Sequence, residues 1–453
     1  MSQTLPRTPR RRSAGAARTV AAVAASALAA LTCATGFAQS APPLSLEDAL
    51  RLAQERSHLL MAQDAAISAA RDMAVGAAQR PDPVLKAGVN NLPVNGPDAF
   101  SLTRDFMTMR SVGVMQEITR GSKLQARSAR FEREAGAAQA NRTLALAQLQ
   151  RDTALAWLDR YHQERLLALM VRQRDEAVLQ INAADAAYRG GRGAQTDVWA
   201  ARLAVAQLDD RLLQMTRQVA TATTQLARWV GGAAAQPLGD APATDVLNLQ
   251  PAELEGRLVH HPQIETLARR EEVAQAEAQV AQSNRQTDWT VELMFNQRGP
   301  AFSNMVSVNL SVPLQWDRQN RQDRELSARL SLAAQLRAER EEATRTHVAE
   351  ATAMLQEWQG EQERLRRHDR TLIPLAAERS RAATTAYRSN TGGLTAVLEA
   401  RRAEIDTRME RARLEAGAAR LWVQLSYLVS AGNEPGPGGR TPTPAPTTPE
   451  QRP

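Results

Sequence analysis

The stretch Ala187–Arg202, AYRGGRGAQTDVWAAR, occurs a second time at Ala386–Arg401 as AYRSNTGGLTAVLEAR, and eight of the sixteen aligned positions are identical. In each copy a helix-favouring approach leads into a Gly-rich break and then into a second helix-favouring segment. Each copy therefore predicts the turn of a long helical hairpin. The glycines are expected to supply the positive φ angle that a reversal between antiparallel helices needs.

The composition favours long helices packed on small residues. Aromatic residues make up 4% of the 453 residues, and Ala, Arg, Gln, Glu and Leu dominate, which is typical of extended helical proteins. Five arginines precede Glu47, and without residues 1–38 the chain has 51 basic and 49 acidic residues. The sequence has no basic block with interleaved aromatic residues, so nucleic-acid binding is not expected.

The first 38 residues have the pattern of an export signal. An Arg-rich start is followed by an apolar run at Val20–Leu31 and by small residues up to Ala38, and the run is too short for a permanent transmembrane helix. Cys33 leaves a lipid anchor as the alternative to cleavage after Ala38. Cleavage would remove the sole cysteine, so neither a disulfide nor a thiolate metal site is expected in the mature chain.

The first predicted repeat, residues 39–230, combines helices with one pair of strands. Its predicted elements are a helix from Leu46 to about Gln79 with Ser45 as N-cap, strands at Val84–Leu92 and Ser111–Thr119, a long helix at Gly121–Arg189, and a returning helix from about Thr196 to Val230. Pro81 and Pro83 stop the first helix. No proline lies between Arg120 and Pro237, which allows one helix about 100 Å long.

The second predicted repeat, residues 251–432, follows a linker at 231–250 and has the same order of elements. These are a helix at about Ala252–Arg285, strands at Asp288–Asn296 and Val306–Leu314, a helix from about Asp317 to Arg388, and a helix from Leu394 to about Val429. The last helix has a heptad seam of mostly small side chains, which allows close packing: Leu398, Ile405, Met409, Ala412, Ala416, Ala419 and Val423. The tail from Asn433 to Pro453 has a composition typical of disorder.

Apolar and polar residues alternate along the predicted strands, as the wall of a membrane barrel requires. The clearest case is the last strand, where Val306, Val308 and Leu310 alternate with Ser307, Asn309 and Ser311. Four strands per chain leave open edges that lipid cannot satisfy, and a closed membrane barrel takes at least about eight strands. The sequence therefore predicts a barrel shared among copies of the chain, without distinguishing two copies from three.

The whole predicted order resembles the TolC family of outer-membrane efflux factors. The resemblance rests on AYRGGRGAQTDV and AYRSNTGGLTAVLEA, on the helix start HHPQIETLARREEVAQAEAQVAQS at 260–283, and on the strand-to-helix passage SVPLQW at 311–316. It implies a mainly α-helical homotrimer with a shared 12-stranded β-barrel in the outer membrane of a Gram-negative bacterium and a long helical tunnel in the periplasm. The implied partners are a periplasmic adaptor and an inner-membrane RND-type pump, and no cofactor is implied.

Two further stretches resemble the CzcC/CusC heavy-metal branch of that family. They are QRPDP at Gln79–Pro83 and FMTMRSVGVMQEITRGSK at Phe106–Lys123. This resemblance implies export of heavy-metal cations such as copper or silver. Drug efflux and type I secretion remain the alternatives within the channel class.

The resemblance also implies roles for residues at the two turns. The turns would form the periplasmic tip that docks the adaptor, through Tyr188, Arg189, Gly190, Gly191, Gly193, Tyr387, Arg388, Gly392 and Gly393. Acidic residues that follow the turns line the narrowest part of the tunnel in the family, and Asp197 and Glu399 match such positions. Their equivalents in the other repeat are Ala200 and Ala396. The alternative is that both acids are ordinary charges in a first helical turn, where the helix dipole favours them.

Direct metal binding and catalysis have weak support in the sequence. Met107, Met109 and Met115 carry thioethers suited to Cu(I) or Ag(I), although methionines at such positions more often serve packing. His260 and His261 are neighbours that point to different faces, which disfavours a shared metal. Phosphate loops, nucleophile elbows and metalloprotease motifs are absent from the sequence, so an enzyme is not expected.

Two hypotheses of different classes therefore remain. One is an outer-membrane channel, and the other is a periplasmic coiled-coil adaptor or scaffold. The strands favour the channel, because a scaffold has no need for alternating apolar strands at matching points of two repeats.

Overall fold

Long helices and one small sheet follow one another in the predicted order. The computed structural model describes residues 42–247, 256–258, 261–389 and 391–429. The predicted export signal, part of the linker and the C-terminal tail lie outside the described residues. The chain divides into Met1–Pro43 and Leu44–Pro453, and the fold below is that of the second unit.

The first half of this unit contains four helices and two strands. They are α1 (Leu46–Glu55), α2 (His58–Ala77), β1 (Val84–Asn90), β2 (Met109–Ile118), α3 (Gly121–Arg189) and α4 (Gln195–Val230). The structure confirms the predicted bounds of α3, whose 69 residues span about 100 Å. Ser45 caps α1 as predicted, because its Oγ accepts the Asp48 N–H at 3.0 Å.

The prediction of one uninterrupted helix from Leu46 to Gln79 was wrong. The helix ends at Glu55, and a second helix begins at His58. The cause is Ser57, whose Oγ accepts the Leu60 N–H at 3.3 Å and so caps a new helix start.

In the second half, the helices and strands that the structure describes with defined ends follow in the same order. They are α5 (Pro262–Ser283), β3 (Trp289–Gln297), β4 (Met305–Ser311), α6 (Gln322–Arg367), α7 (Ile373–Arg388) and α8 (Leu394–Val429). The predicted long helix begins at Gln322 and not at Asp317, because Asp317 Oδ1 accepts the Asn320 N–H at 3.3 Å in a turn. The segment His368–Leu372 between α6 and α7 is π-helical and precedes Pro374, which has no N–H for the helical ladder.

The four strands form one antiparallel sheet in the order β1-β2-β3-β4. Strands β2 and β3 come from different halves of the chain and pair from Arg110 with Gln297 to Ile118 with Trp289. Strand β1 ends at Asn90, two residues before the predicted Leu92, and strand β4 ends at Ser311, three residues before the predicted Leu314. Strands β1 and β4 lie at the two open edges.

The main hydrophobic core packs the middle of α3 against the C-terminal parts of α4, α6 and α8. Trp157 is fully buried there, stacks on Tyr161 at 5.5 Å between ring centroids, and donates from Nε1 to the Leu44 carbonyl at 3.1 Å. The described part of the predicted linker crosses this core, because Leu44 N–H bonds to Pro237 O at 2.7 Å and Trp422 Nε1 bonds to Val246 O at 2.9 Å. Four members of the predicted seam of α8 are buried: Ile405, Met409, Ala419 and Val423.

In the part of the chain that the structure describes, no helix combines the length and the apolar character needed to cross a bilayer.

Candidate tip and channel surfaces

The two helical turns share one backbone arrangement. The Arg192 N–H donates to the Ala187 carbonyl at 2.9 Å, and at the equivalent place the Thr391 N–H donates to the Ala386 carbonyl at 2.9 Å. These bonds satisfy carbonyls at the end of α3 and of α7 that have no partner inside the helix. The similar sequences therefore produce similar turns.

The glycines of the turns serve two different purposes, which corrects the expectation of positive φ at both. Only Gly191 has a positive φ, +72°, among the described turn glycines. Gly193 and Gly392 are needed for close packing: a Cβ at Gly193 would lie 3.2 Å from the Cβ of Ala187, and one at Gly392 would lie 3.1 Å from the Cβ of Ala386. Gly190 is also closely packed, since a Cβ there would lie 3.3 Å from the Ala186 carbonyl oxygen, whereas a Cβ at Gly393 would meet no atom within 4 Å.

A small apolar cluster joins the two turns. Its buried members come from α3, α4 and α8, namely Ala184, Val198, Ala201, Leu394 and Val397, and Tyr387 of α7 packs against them. Tyr188, the counterpart of Tyr387, is exposed. The two tyrosines of the repeated motif therefore differ, since Tyr387 packs against the cluster and Tyr188 is exposed.

The candidate gate acids lie in different local settings. Asp197 Oδ2 accepts the Ala194 N–H at 3.3 Å in the first turn of α4, so it stabilises a helix start. Glu399 is exposed and is the sixth residue of α8, beyond the first turn, where the helix dipole has faded. The dipole explanation therefore fits Asp197 and does not fit Glu399.

Glu399 and its repeat counterpart Ala200 line the same cleft. This cleft, of about 310 Å³, lies between α3, α4 and α8, and its wall also includes Leu203 and Arg402. Asp197 is not part of the wall. Arg189 pairs with Asp185 at 2.7 Å, and within the described chain no ion pair joins Glu399 to Arg189 or to the exposed Arg388.

The sheet has one apolar and one polar face. The apolar side chains of β3 and β4 are largely exposed, including Leu293, Phe295, Val306, Val308 and Leu310. The other face carries an ion pair between Lys86 Nζ on β1 and Glu292 Oε2 on β3 at 2.7 Å. A soluble sheet normally covers its apolar face, so this one requires an apolar surrounding.

A buried ion pair joins the sheet to the long helix and was not predicted. Lys123 is 6% exposed and lies in the first turn of α3. Its Nζ bonds to Asp288 Oδ2 at 2.6 Å. Burial alone would raise the pKa of Asp288, but hydrogen bonds from Lys123 and from the Arg120 N–H hold this pKa below its ordinary value of 3.8. No local sequence pattern indicates this pair, because its members are 165 residues apart.

The candidate metal ligands do not converge. Met107 lies in the loop before β2, whereas Met109 and Met115 lie six residues apart on that strand, which separates them by about 20 Å. His261 caps α5, since its Nδ1 accepts the Gln263 N–H at 3.3 Å. Burial, His347 and Arg151 lower the pKa of His261 to about 4. His260 lies outside the described residues. Among those described, no three His, Cys, Asp or Glu side chains are grouped to hold a metal ion.

Comparisons with known proteins show the fold. The chain is similar to the outer-membrane channel OprN, with a TM-score of 0.72, 16% identity and coverage of 85% of this chain and 90% of that one. It is also similar to the outer membrane protein VceC from Vibrio cholerae, with a TM-score of 0.72, 17% identity and coverage of 86% of this chain and 97% of VceC. The similarity to CusC, a protein described in terms of transmembrane channel formation, has a TM-score of 0.71, 14% identity and coverage of 85% of this chain and 91% of CusC.

The chain has the fold of these membrane proteins. They are channel proteins and not enzymes. No family model matches the chain, and no curated protein matches its sequence. The similarity to CusC is no greater than that to OprN or VceC, so the fold does not single out the heavy-metal branch.

Proposed function

We propose that this chain is the outer-membrane channel component of a tripartite efflux system in a Gram-negative bacterium. The observation that carries the proposal is the sheet, which exposes an apolar face, keeps a polar face and ends in two open edges. Lipid around the apolar face and water along the polar face satisfy both surfaces at once. A scaffold of the adaptor class would leave the apolar face in water.

The open edges require more than one copy of the chain. Unpaired strand edges are not tolerated in a lipid core, and a closed membrane barrel takes at least about eight strands. Three copies, each adding the four strands of its sheet, make twelve. The resemblance to the TolC family favours this homotrimer over a dimer.

The long helices would form a tunnel in the periplasm. Helix α3 starts at Gly121, directly after β2, and extends about 100 Å to the turn at its other end. The two turns would then form the tip that contacts a periplasmic adaptor and an inner-membrane RND-type pump. Exposed Tyr188, Arg189 and Arg388 are the proposed contacts.

Membrane extraction and conductance test the channel. The protein should leave outer membranes only with detergent, as an oligomer, and should conduct ions after reconstitution into planar bilayers. Recovery of a soluble periplasmic monomer that does not conduct would instead support the adaptor or scaffold class.

The proposed cargo is heavy-metal cations of the copper or silver type. Support comes from the two stretches that resemble the CzcC/CusC branch, at Gln79–Pro83 and Phe106–Lys123. A strain that lacks the gene should lose tolerance to copper or silver, and zinc, cobalt, cadmium and a drug panel serve as comparisons. Unchanged metal tolerance together with lost drug tolerance would replace the metal cargo with drugs.

A further inference from the structure

A continuous series of side-chain hydrogen bonds crosses the polar face of the sheet. Asn90 Nδ2 on β1 donates to Ser111 Oγ on β2 at 2.8 Å, and Ser111 Oγ donates to Asn296 Oδ1 on β3 at 2.6 Å. Asn296 Nδ2 then donates to Ser307 Oγ on β4 at 2.9 Å. We call these four residues the polar belt.

The polar belt has a direction, and its two ends are complementary. Ser111 has one hydroxyl hydrogen and uses it on Asn296, so it must accept from the amide of Asn90. The side-chain oxygen Oδ1 of Asn90 is therefore an acceptor at the β1 edge, and the Ser307 hydroxyl is a donor at the β4 edge. Within the described chain, no further hydrogen bond engages either atom.

The polar belt also follows the slope that barrel strands require. Asn90 lies opposite Met109 but bonds to Ser111, and Asn296 lies opposite Met305 but bonds to Ser307. Both steps shift two residues along the strands in the same sense. A barrel needs such a stagger, because its strands tilt relative to the axis.

We propose that Ser307 of one copy lies opposite Asn90 of the next copy and donates to its Oδ1, so that the polar belt closes around the lumen. The proposal rests on the shared barrel of the proposed function. An antiparallel sheet of four strands places β4 antiparallel to the next β1, as the contact requires. The second copy thus completes a hydrogen-bonded series that a single chain leaves open.

The same alignment fits the apolar face. With Ser307 opposite Asn90, Val308 faces Val89 and Leu310 faces Ala87, so apolar residues meet on the lipid side. A shift of the register by one residue would move the apolar side chains of one strand to the polar face. A slip of two residues keeps the faces but separates Ser307 from Asn90, so the polar belt selects one register among those that the apolar pattern allows.

Cysteine pairs test the register in a chain that carries Cys33→Ser. Asn90→Cys with Ser307→Cys should yield disulfide-linked oligomers up to a covalent trimer on non-reducing electrophoresis. The controls are Gly88→Cys with Ser307→Cys and Asn90→Cys with Asn309→Cys, each shifted by two residues. The first pair should link at least about fivefold more, because only directly opposed residues bring Cα atoms within the roughly 4.4–6.8 Å of a disulfide. Stronger linking of either control overturns the register.

Two further measurements separate this proposal from the proposed function. Native mass spectrometry of the Cys33→Ser chain in detergent shows whether an oligomer forms. If an oligomer forms but a control pair links best, the polar belt alone is overturned. If only a monomer forms, the proposed channel is overturned as well. Ser307→Ala should lower the temperature at which the oligomer dissociates, and Ser307→Thr should restore it. An unchanged dissociation temperature in Ser307→Ala overturns the belt.

Discussion

Single residues in this chain take their roles from where the fold places them, as the candidate gate acids Asp197 and Glu399 illustrate. The resemblance to the TolC family implies a gate role for both Asp197 and Glu399. The structure gives Asp197 a capping bond to the Ala194 N–H and leaves Glu399 exposed in the cleft that Ala200 also lines. We therefore propose Glu399, and not Asp197, as the gate charge of the channel.

Exchange of charge between the two repeats tests this assignment. Glu399→Gln should lower the cation selectivity of the reconstituted channel, because a ring of carboxylates at a constriction favours cations. Ala200→Glu added to Glu399→Gln should restore it, since both positions line one cleft. Reversal potentials in a salt gradient measure the effect. A double variant as unselective as Glu399→Gln would show that the cleft is not the constriction, and Asp197→Asn serves as the control with near-normal selectivity.

The Lys123–Asp288 pair predicts a pH-dependent stability. Asp288→Asn should destabilise the protein by about 3–5 kcal/mol at pH 7, because it leaves a buried ammonium without its counter-ion. The pKa of Asp288 is below its ordinary value of 3.8, so the carboxylate stabilises the fold above that pH and the contribution is lost as the pH falls through the folded value. Denaturation from pH 7 to pH 3 should show the difference in stability between the two proteins beginning to narrow at the acid end, as Asp288 becomes protonated in the unfolded chain.

The half-exposed pair Arg285–Asp323 provides the control for that measurement. Its atoms are 2.9 Å apart, yet an exposed pair contributes only about 0–1 kcal/mol. Asp323→Asn should therefore change stability little. A loss as large as that of Asp288→Asn would contradict the special role of burial.

At the scale of the helical turn, substitutions of the individual glycines are expected to have different effects on stability. Gly392→Ala should loosen the second turn by about 1–3 kcal/mol, because the new Cβ crowds Ala386. Gly393→Ala has open space and is the matched control. Gly191→Ala should cost about 1–2 kcal/mol through its positive φ. Hydrogen exchange of the turn amides measures each change, and equal exchange in Gly392→Ala and Gly393→Ala would show that close packing at Gly392 is unimportant.

Sequence periodicity predicted the elements whose signals are local. The proline-free run and the repeated Gly-rich turn together predicted the bounds of α3, and the strand alternation predicted the two faces of the sheet. The break at Ser57 and the π-helical segment at His368–Leu372 were missed, since each depends on hydrogen bonding within one turn that periodicity does not detect. The packing of Gly193 against Ala187 and the bonds of the polar belt were also missed, because they depend on which residues meet in space.

For the whole molecule, the proposed channel requires that the apolar face of the sheet meets lipid. Val308, 70% exposed on β4, lies on the apolar face, and the next residue, Asn309, lies on the polar face. Val308→Arg should destabilise the membrane-inserted state by up to about 2–4 kcal/mol, while Asn309→Arg should cost little. Denaturant titration in lipid vesicles measures both. A larger cost for Asn309→Arg would show that the sheet is inverted relative to the proposal.

The pairing of β2 with β3 has a consequence for the order of biogenesis. Ser111 and Asn296 are 185 residues apart in sequence, so the central pairing is a slow, non-local step. In the proposed export to the outer membrane, the β1–β2 hairpin lacks its neighbour until the second half of the chain has been secreted, and an isolated hairpin is marginally stable in water. Its exposed apolar side chains are then prone to aggregate. The nascent chain should therefore depend on a holding chaperone for as long as translocation lasts, and neither half should form the sheet when expressed alone.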